Sequence, residues 1–153
     1  MNLDALQTTH PVVQHVTTVE QASQAFDAIT YQKGEAVIRM LESYVGHDAW
    51  RAGVRAYMKQ NAHGNTVSDD LWSAVETAAG KPIKAIAHDF TLQPGVPLIT
   101  VSNATCAAGK TTLTLTQGEF SKDAPDKKAL TWRVPVTVQA LGDEKGVAGW
   151  PRP

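Results

Sequence analysis

The sequence pattern changes at residues 93–97, where two prolines and a glycine fall within five residues (QPGVP). Such a stretch stops a helix and favours extended or turn backbone. Before it, apolar residues recur at helical spacing, and after it they alternate with polar residues as in β-strands. The sequence therefore predicts an α+β fold, with a helical part over residues 1–92, a linker over residues 93–97 and a β-rich part over residues 98–153.

Five helices are predicted in the helical part. The clearest begins at Tyr31, which Thr30 can cap, and it carries Val37 and Leu41 on one apolar face. Gly46 fits the position just past the end of this helix. The other predicted helices cover about 19–26, 48–63, 68–79 (capped by Ser68) and 82–90.

Alternating apolar and polar residues predict three strands in the β-rich part, around residues 98–100, 111–117 and 130–138. Pro135 interrupts the third strand and cannot donate to a ladder, which favours an edge or a bulge there. Three strands with one apolar face need a second layer, so the predicted β unit is unfinished.

Composition excludes several classes of protein. The 14 basic and 15 acidic side chains give a net charge of -1, which argues against a nucleic-acid binder with a basic surface. No uncharged apolar run approaches the ~20 residues of a membrane span, and residues 1–10 do not resemble a signal peptide. The single cysteine excludes an intrachain disulfide and a multi-cysteine zinc site. Nothing in the sequence indicates a compartment.

Most chemically capable side chains have ordinary explanations. No two of the five histidines have the i, i+4 spacing of a helical metal pair, and His10 and His15 are predicted surface loop residues. Cys106 is predicted to be a structural cysteine in a turn of small residues. Asp69 and Asp70 could form an acid pair, but helix capping explains both carboxylates and is the favoured interpretation.

Tyr31 stands at the start of its helix, where a phenol can donate a hydrogen bond into a cleft. In acyl chemistry such a donor stabilises the oxyanion that develops on the attacked carbonyl. From the residues alone, a packing tyrosine is the favoured interpretation.

Seven short motifs, in order and at similar spacing, resemble the gluzincin aminopeptidases, the aminopeptidase N family. They cover nearly all of residues 3–138. The motifs are LDAL at 3–6, THPV at 9–12, FDAITYQKG at 26–34, VIRML at 37–41, NT at 65–66 with DLW at 70–72, QPGVP at 93–97 and WRVPV at 132–136.

The resemblance implies a zinc exopeptidase that removes N-terminal residues from peptides. Residues 1–92 would be the helical C-terminal part of a thermolysin-like catalytic domain, and residues 98–153 would begin an antiparallel β-sandwich. Tyr31 matches the family tyrosine that stabilises the tetrahedral intermediate, which reverses the packing interpretation. His10 matches a family position that is not a zinc ligand.

The departures from the family are larger than the matches. The His-Glu-x-x-His helix, the further zinc-binding glutamate and the Gly-x-Met-Glu-Asn strand are absent from the sequence. Val96 stands where the family commonly has an aromatic residue, and Phe90 stands where it commonly has tryptophan. Both are interpreted as packing variants.

Three hypotheses follow. The first is an aminopeptidase fragment that supplies Tyr31 for a peptide substrate but binds no zinc, and is therefore inactive alone. The second is a non-catalytic module that binds peptide or protein, or self-associates through exposed helix faces. The third is an unrelated α+β domain. The residue preference of the parent enzyme is not indicated.

Overall fold

The computed structural model describes residues 2–139. Within them, five α-helices are followed by a two-stranded antiparallel hairpin, which confirms the α+β fold class. None of these helices has the length and apolar character needed to cross a membrane. The elements are α1 Val19–Gln24, a π-helical turn Ile29–Lys33, α2 Gly34–Val45, α3 His47–Gln60, α4 Ser68–Ala79, α5 Lys84–Thr91, β1 Val96–Ala107 and β2 Lys110–Phe120.

Two predicted caps are wrong, although the helices exist. The carboxylate of Asp27, rather than Thr30, accepts the first hydrogen bond of the turn that leads into α2, from the Thr30 amide at 2.8 Å. At α4, the Asp70 carboxylate reaches back to the Val67 amide at 2.9 Å, and Ser68 is already helical. In both cases a carboxylate competes successfully with a hydroxyl for the unpaired amides of a first turn.

The core lies between α2, α4 and α5, and it follows from the helical spacing of apolar residues. Leu41, Val75 and Ile83 are fully buried, and each contributes roughly 1.5–3 kcal/mol by leaving water. Helices α3 and α4 approach closely at Gly53, where an added methyl would lie 2.5 Å from Val75 Cα. The buried cluster comprises Val37, Leu41, Val45, Trp72, Val75, Ile83, Ile86, Ala87, Phe90 and Trp132.

Strands β1 and β2 pair from Val96 opposite Phe120 to Ala107 opposite Lys110. The loop between them has two residues, Ala108 and Gly109, with φ of 50° and 73°. Two positive φ angles match the twist of a type I′ hairpin. Cys106 is exposed and belongs to β1 rather than to the turn predicted around it.

The predicted third strand over residues 130–138 is wrong. Among the described residues, the segment 131–139 pairs with no strand, and side chains instead accept hydrogen bonds from the amides of Trp132 and Arg133. Gln117 accepts from Trp132 at 2.8 Å, and Asp89 accepts from Arg133 at 2.8 Å. Trp132 turns into the helical core with only 5% of its surface exposed, so this segment joins the two parts of the chain. The remainder of the predicted β part, residues 140–153, lies outside the described residues.

Candidate functional site

Tyr31 lies in the middle of the π-helical turn Ile29–Lys33, immediately before α2. We call residues 29–33 the Tyr31 turn. Wide turns of this kind are rare and often occur at functional sites. The Tyr31 side chain is 60% exposed, and its ring stacks on Phe26 with 6.1 Å between centroids. Its hydroxyl has no hydrogen-bond partner among residues 2–139. The ring is therefore open to solvent, and it lies on a turn whose two ends are anchored by Asp27 and by Lys33.

The first anchor of the Tyr31 turn is Asp27. One carboxylate oxygen accepts from the Thr30 amide at 2.8 Å, and the Asp27 carbonyl accepts from the Tyr31 amide at 3.1 Å. The other carboxylate oxygen is paired with His10 Nε2 at 2.5 Å. His10 Nδ1 donates to the Pro11 carbonyl at 2.9 Å. His10 therefore lies in a loop and is partly exposed, at 29%, while its ring nitrogens are both in contact with acceptors, and His15 is exposed.

Both members of this pair have shifted pKa values. Burial opposes protonation of His10, but its hydrogen bonds to Pro11 and Asp27 and the negative charges of Asp27 and Asp4 raise its pKa above 6.5. The hydrogen bond from the Thr30 amide lowers the pKa of Asp27 below 3.8, and the hydrogen bond and charge of His10 lower it further. Both shifts favour the charged forms of the two side chains.

The second anchor is a buried ion pair at the other end of the Tyr31 turn. Lys33 Nζ lies 2.9 Å from Asp4 Oδ2, and the two side chains are 11% and 5% exposed. The same ammonium donates to the carbonyls of Gln93 at 3.3 Å and Gly95 at 3.0 Å. Asp4 Oδ1 accepts from the Gly95 amide at 3.0 Å and from the Thr9 hydroxyl at 2.7 Å. The N-terminal segment, the Tyr31 turn and the connection from α5 to β1 thus meet at one buried charge pair.

Gly95 fits this junction because it has no side chain. Its φ is +90°, and an added Cβ would overlap the carboxylate of Glu119. Glu119 in turn pairs with Lys127 at 2.5 Å and accepts from the Leu130 amide at 3.0 Å. The buried Glu119 carboxylate therefore links β2 to the segment that follows it.

The other candidates from the sequence lie apart from this arrangement. Asp69 is 2.6 Å from His88 Nε2 and 2.8 Å from Lys84 Nζ, and the hydrogen bonds from Lys84 and His88 lower its pKa. Capping therefore explains Asp70 but not Asp69. Within residues 2–139, no three or more histidine, cysteine, aspartate or glutamate side chains are grouped closely enough to hold a metal ion.

A cleft of about 500 Å³ lies between α5 and the segment after β2, and Tyr31 does not line it. Its charged groups are already paired, since Arg133 Nη1 contacts both carboxylate oxygens of Asp89 at 2.9 and 3.0 Å. The cleft is lined by His88, Asp89, Leu92, Gln93, Thr131, Trp132 and Arg133.

Sequence reasoning missed both anchors of the Tyr31 turn. Asp4 and Lys33 are 29 positions apart, and His10 and Asp27 are 17 apart, so no helical or strand spacing connects them. The only signal was that all four residues fall within the motifs LDAL, THPV and FDAITYQKG.

A family model and several curated relatives indicate the same family for this chain. Residues 1–90 match the "Peptidase family M1 domain". The chain is 38% identical over 136 residues to aminopeptidase M1-A of Oryza sativa, covering 89% of this chain and 15% of the relative. It is 36% identical over 135 residues to the tricorn protease-interacting factor F2 of Thermoplasma volcanium, covering 88% and 16%. It is 34% identical over 139 residues to the puromycin-sensitive aminopeptidase of Caenorhabditis elegans, covering 90% and 15%. The chain thus spans about one sixth of the length of these relatives.

Proposed function

This chain belongs to peptidase family M1, and we propose that it contributes Tyr31 to a zinc-dependent aminopeptidase that removes N-terminal residues from peptides. The observation that carries the proposal is an exposed phenol on a turn that is anchored at both ends. The names of the rice and nematode relatives, both aminopeptidases, support the reaction class.

The proposed role of Tyr31 is to stabilise developing negative charge. Peptide hydrolysis passes through a tetrahedral intermediate whose former carbonyl oxygen becomes an oxyanion. A fixed hydroxyl that donates to this oxygen binds the transition state more strongly than the substrate. Removing one such donor typically lowers kcat by about 10²–10³-fold. The Tyr31 hydroxyl is suited to this role because no described side chain competes for its proton.

Zinc dependence is a property of family M1, but the side chains of this chain do not fit a zinc site. The sequence has no His-Glu-x-x-His motif, and residues 2–139 hold no metal-binding group of three side chains. We therefore propose that this chain contributes only Tyr31, and the scaffold that positions it, to the catalytic site.

This division of roles is tested by assaying the pure chain with added zinc on an aminoacyl-anilide, with the rice aminopeptidase M1-A as the positive control. We expect the pure chain to hydrolyse the substrate no faster than its Tyr31→Phe variant does. We also expect no tight zinc binding in a calorimetric titration. Zinc-dependent turnover by the pure chain that is lost in Tyr31→Phe would overturn the proposal.

We also propose that residues 1–92 are the helical end of a catalytic domain and that residues 98–153 begin a β-sandwich domain. The family match ends at residue 90, α5 ends at Thr91 and β1 begins at Val96, which supports a boundary in residues 93–97. The packing of Trp132 into the helical core indicates that the two parts are tightly docked.

A second candidate function is a non-catalytic module that binds peptide or protein. The observation that favours it is the exposure of large apolar side chains near Tyr31 in the chain, among them Val19 at 80% and Phe26 at 70%. Light scattering distinguishes the cases, since self-association of the pure chain supports this candidate. A clean monomer over a wide concentration range argues against it.

A further inference from the structure

We propose that His10 and Asp27 are positioning residues for Tyr31, and that the protonation state of His10 sets how firmly the Tyr31 turn is held. The inference rests on the proposed role of Tyr31 for its catalytic meaning. Its structural content stands on the contacts of residues 10, 27, 30 and 31 alone.

Asp27 contacts two backbone amides of the Tyr31 turn. Its carboxylate accepts from the Thr30 amide at 2.8 Å and its carbonyl accepts from the Tyr31 amide at 3.1 Å. The Thr30 amide belongs to a first helical turn and is bonded to the Asp27 side chain, whereas the Tyr31 amide has an ordinary backbone partner four residues back. The backbone at Thr30, directly before Tyr31, therefore depends on the rotamer of Asp27.

His10 fixes that rotamer from outside the turn. Its Nε2 is paired with the free oxygen of the Asp27 carboxylate, while its Nδ1 faces the Pro11 carbonyl. Both partners are pure acceptors, so both ring nitrogens have to carry protons for the two hydrogen bonds to exist together. Only the imidazolium satisfies this arrangement, and loss of one proton removes one of the two contacts.

The charged groups around His10 all favour the imidazolium. Asp27 faces it directly from the segment before the Tyr31 turn, and Asp4 acts on it from the N-terminal segment. Asp4 is itself paired with Lys33, which reduces its effect. Deprotonation of His10 therefore removes the positive charge that faces the Asp27 carboxylate and one of the two ring hydrogen bonds, and the cap on Thr30 loosens.

The first measurement is amide hydrogen exchange on the full chain, followed by NMR. In Asp27→Ala, protection of the Thr30 amide should fall about fivefold to tenfold, the effect of one lost N-cap, and protection of the Tyr31 amide should fall less because its backbone acceptor remains. In Asp27→Asn, the side-chain oxygen can still accept from Thr30, so protection should stay within about twofold of wild type. Protected amides in α4 serve as the check that each variant is folded.

The second measurement follows the Tyr31 ring signals from pH 5.5 to 8.5. In the wild-type chain they should titrate together with the His10 ring, and this step should vanish in His10→Gln and in Asp27→Asn. His47→Gln is the matched control, because His47 forms a similar pair with Glu42 at 2.8 Å in another part of the chain. It should leave the Tyr31 step unchanged.

Two results would overturn the inference. One is Thr30 protection in Asp27→Ala that stays within twofold of wild type. The other is a Tyr31 titration step that persists in His10→Gln. Neither measurement needs peptidase activity, so loss of the proposed catalytic role of Tyr31 would leave the positioning result standing, and the reverse also holds.

Discussion

Replacing Asp4 with alanine should lower the free energy of unfolding by about 3–5 kcal/mol. The substitution leaves the Lys33 ammonium, 11% exposed, with only the carbonyls of Gln93 and Gly95 as partners. It also removes the acceptor of the Gly95 amide and the Thr9 hydroxyl.

The magnitude follows from these contacts. Removing one partner of a buried ion pair costs about 3–5 kcal/mol, because the other charge stays buried and unpaired. In Asp4→Ala/Lys33→Met the uncompensated charge is gone, and the groups left without these partners are the Gly95 amide, the Thr9 hydroxyl and the carbonyls of Gln93 and Gly95, all neutral groups that cost less to bury than an ammonium. The double variant should therefore be more stable than Asp4→Ala alone. Asp4→Asn, which keeps an acceptor for Gly95 and Thr9, should lie between wild type and Asp4→Ala.

Urea unfolding followed by circular dichroism measures these differences. Asp126→Ala is the matched control, because Asp126 is exposed and its loss should change stability by less than about 0.5 kcal/mol. An Asp4→Ala loss below about 1 kcal/mol, or a double variant no more stable than Asp4→Ala, would refute the reasoning that this pair ties the Tyr31 turn to the rest of the fold.

Three further changes test the packing and the caps, each by urea unfolding. Gly53→Ala places a methyl 2.5 Å from Val75 Cα and should cost about 2 kcal/mol, whereas Gly64→Ala, whose methyl meets only open space and one carbonyl at 3.5 Å, should cost much less. Trp132→Ala should cost about 3–5 kcal/mol, and a loss below 1 kcal/mol would contradict its place in the helical core. The Glu76 carboxylate accepts hydrogen bonds from the backbone amides of Lys84 and Ile83 at the start of α5. These bonds, the one from Lys84 most strongly, lower the pKa of Glu76 below 4.5. A carboxyl whose pKa is lowered by folding stabilises the fold above pH 4.5, and this stability is lost as the pH falls through the pKa of the folded state. Glu76→Ala should therefore cost about 1 kcal/mol at pH 7 and make the free energy of unfolding depend less on pH below 4.5.

The helices were predictable because their signals are local. The spacing of Val37, Leu41 and Val45 defines one face of α2, and all three are buried. Gly80 ends α4 in the left-handed conformation, with φ of 60°. Such patterns depend on a few neighbouring residues, so they survive without knowledge of the tertiary structure.

The segment around Trp132 could not be predicted in the same way. Its alternation is typical of a strand, but a strand also requires a partner at hydrogen-bonding distance, which no local pattern reports. Gln117 and Asp89 take the place of that partner. The anchors of Tyr31 were hidden for the same reason, because Asp4 and Lys33 are brought together only by the folded chain.

The central claim is that Tyr31 stabilises an oxyanion. The most direct measurement grafts residues 2–139 in place of the matching segment of the rice aminopeptidase M1-A, to which the chain is 38% identical over 136 residues. The zinc-loaded chimera should hydrolyse an aminoacyl-anilide, and Tyr31→Phe should lower its kcat by about 10²–10³-fold with little change in KM. Tyr57→Phe, which loses only a contact to Thr66, is the control and should leave kcat within about twofold. A Tyr31→Phe chimera that keeps more than half of the parent kcat, or a folded, zinc-loaded chimera with no activity, would contradict the account.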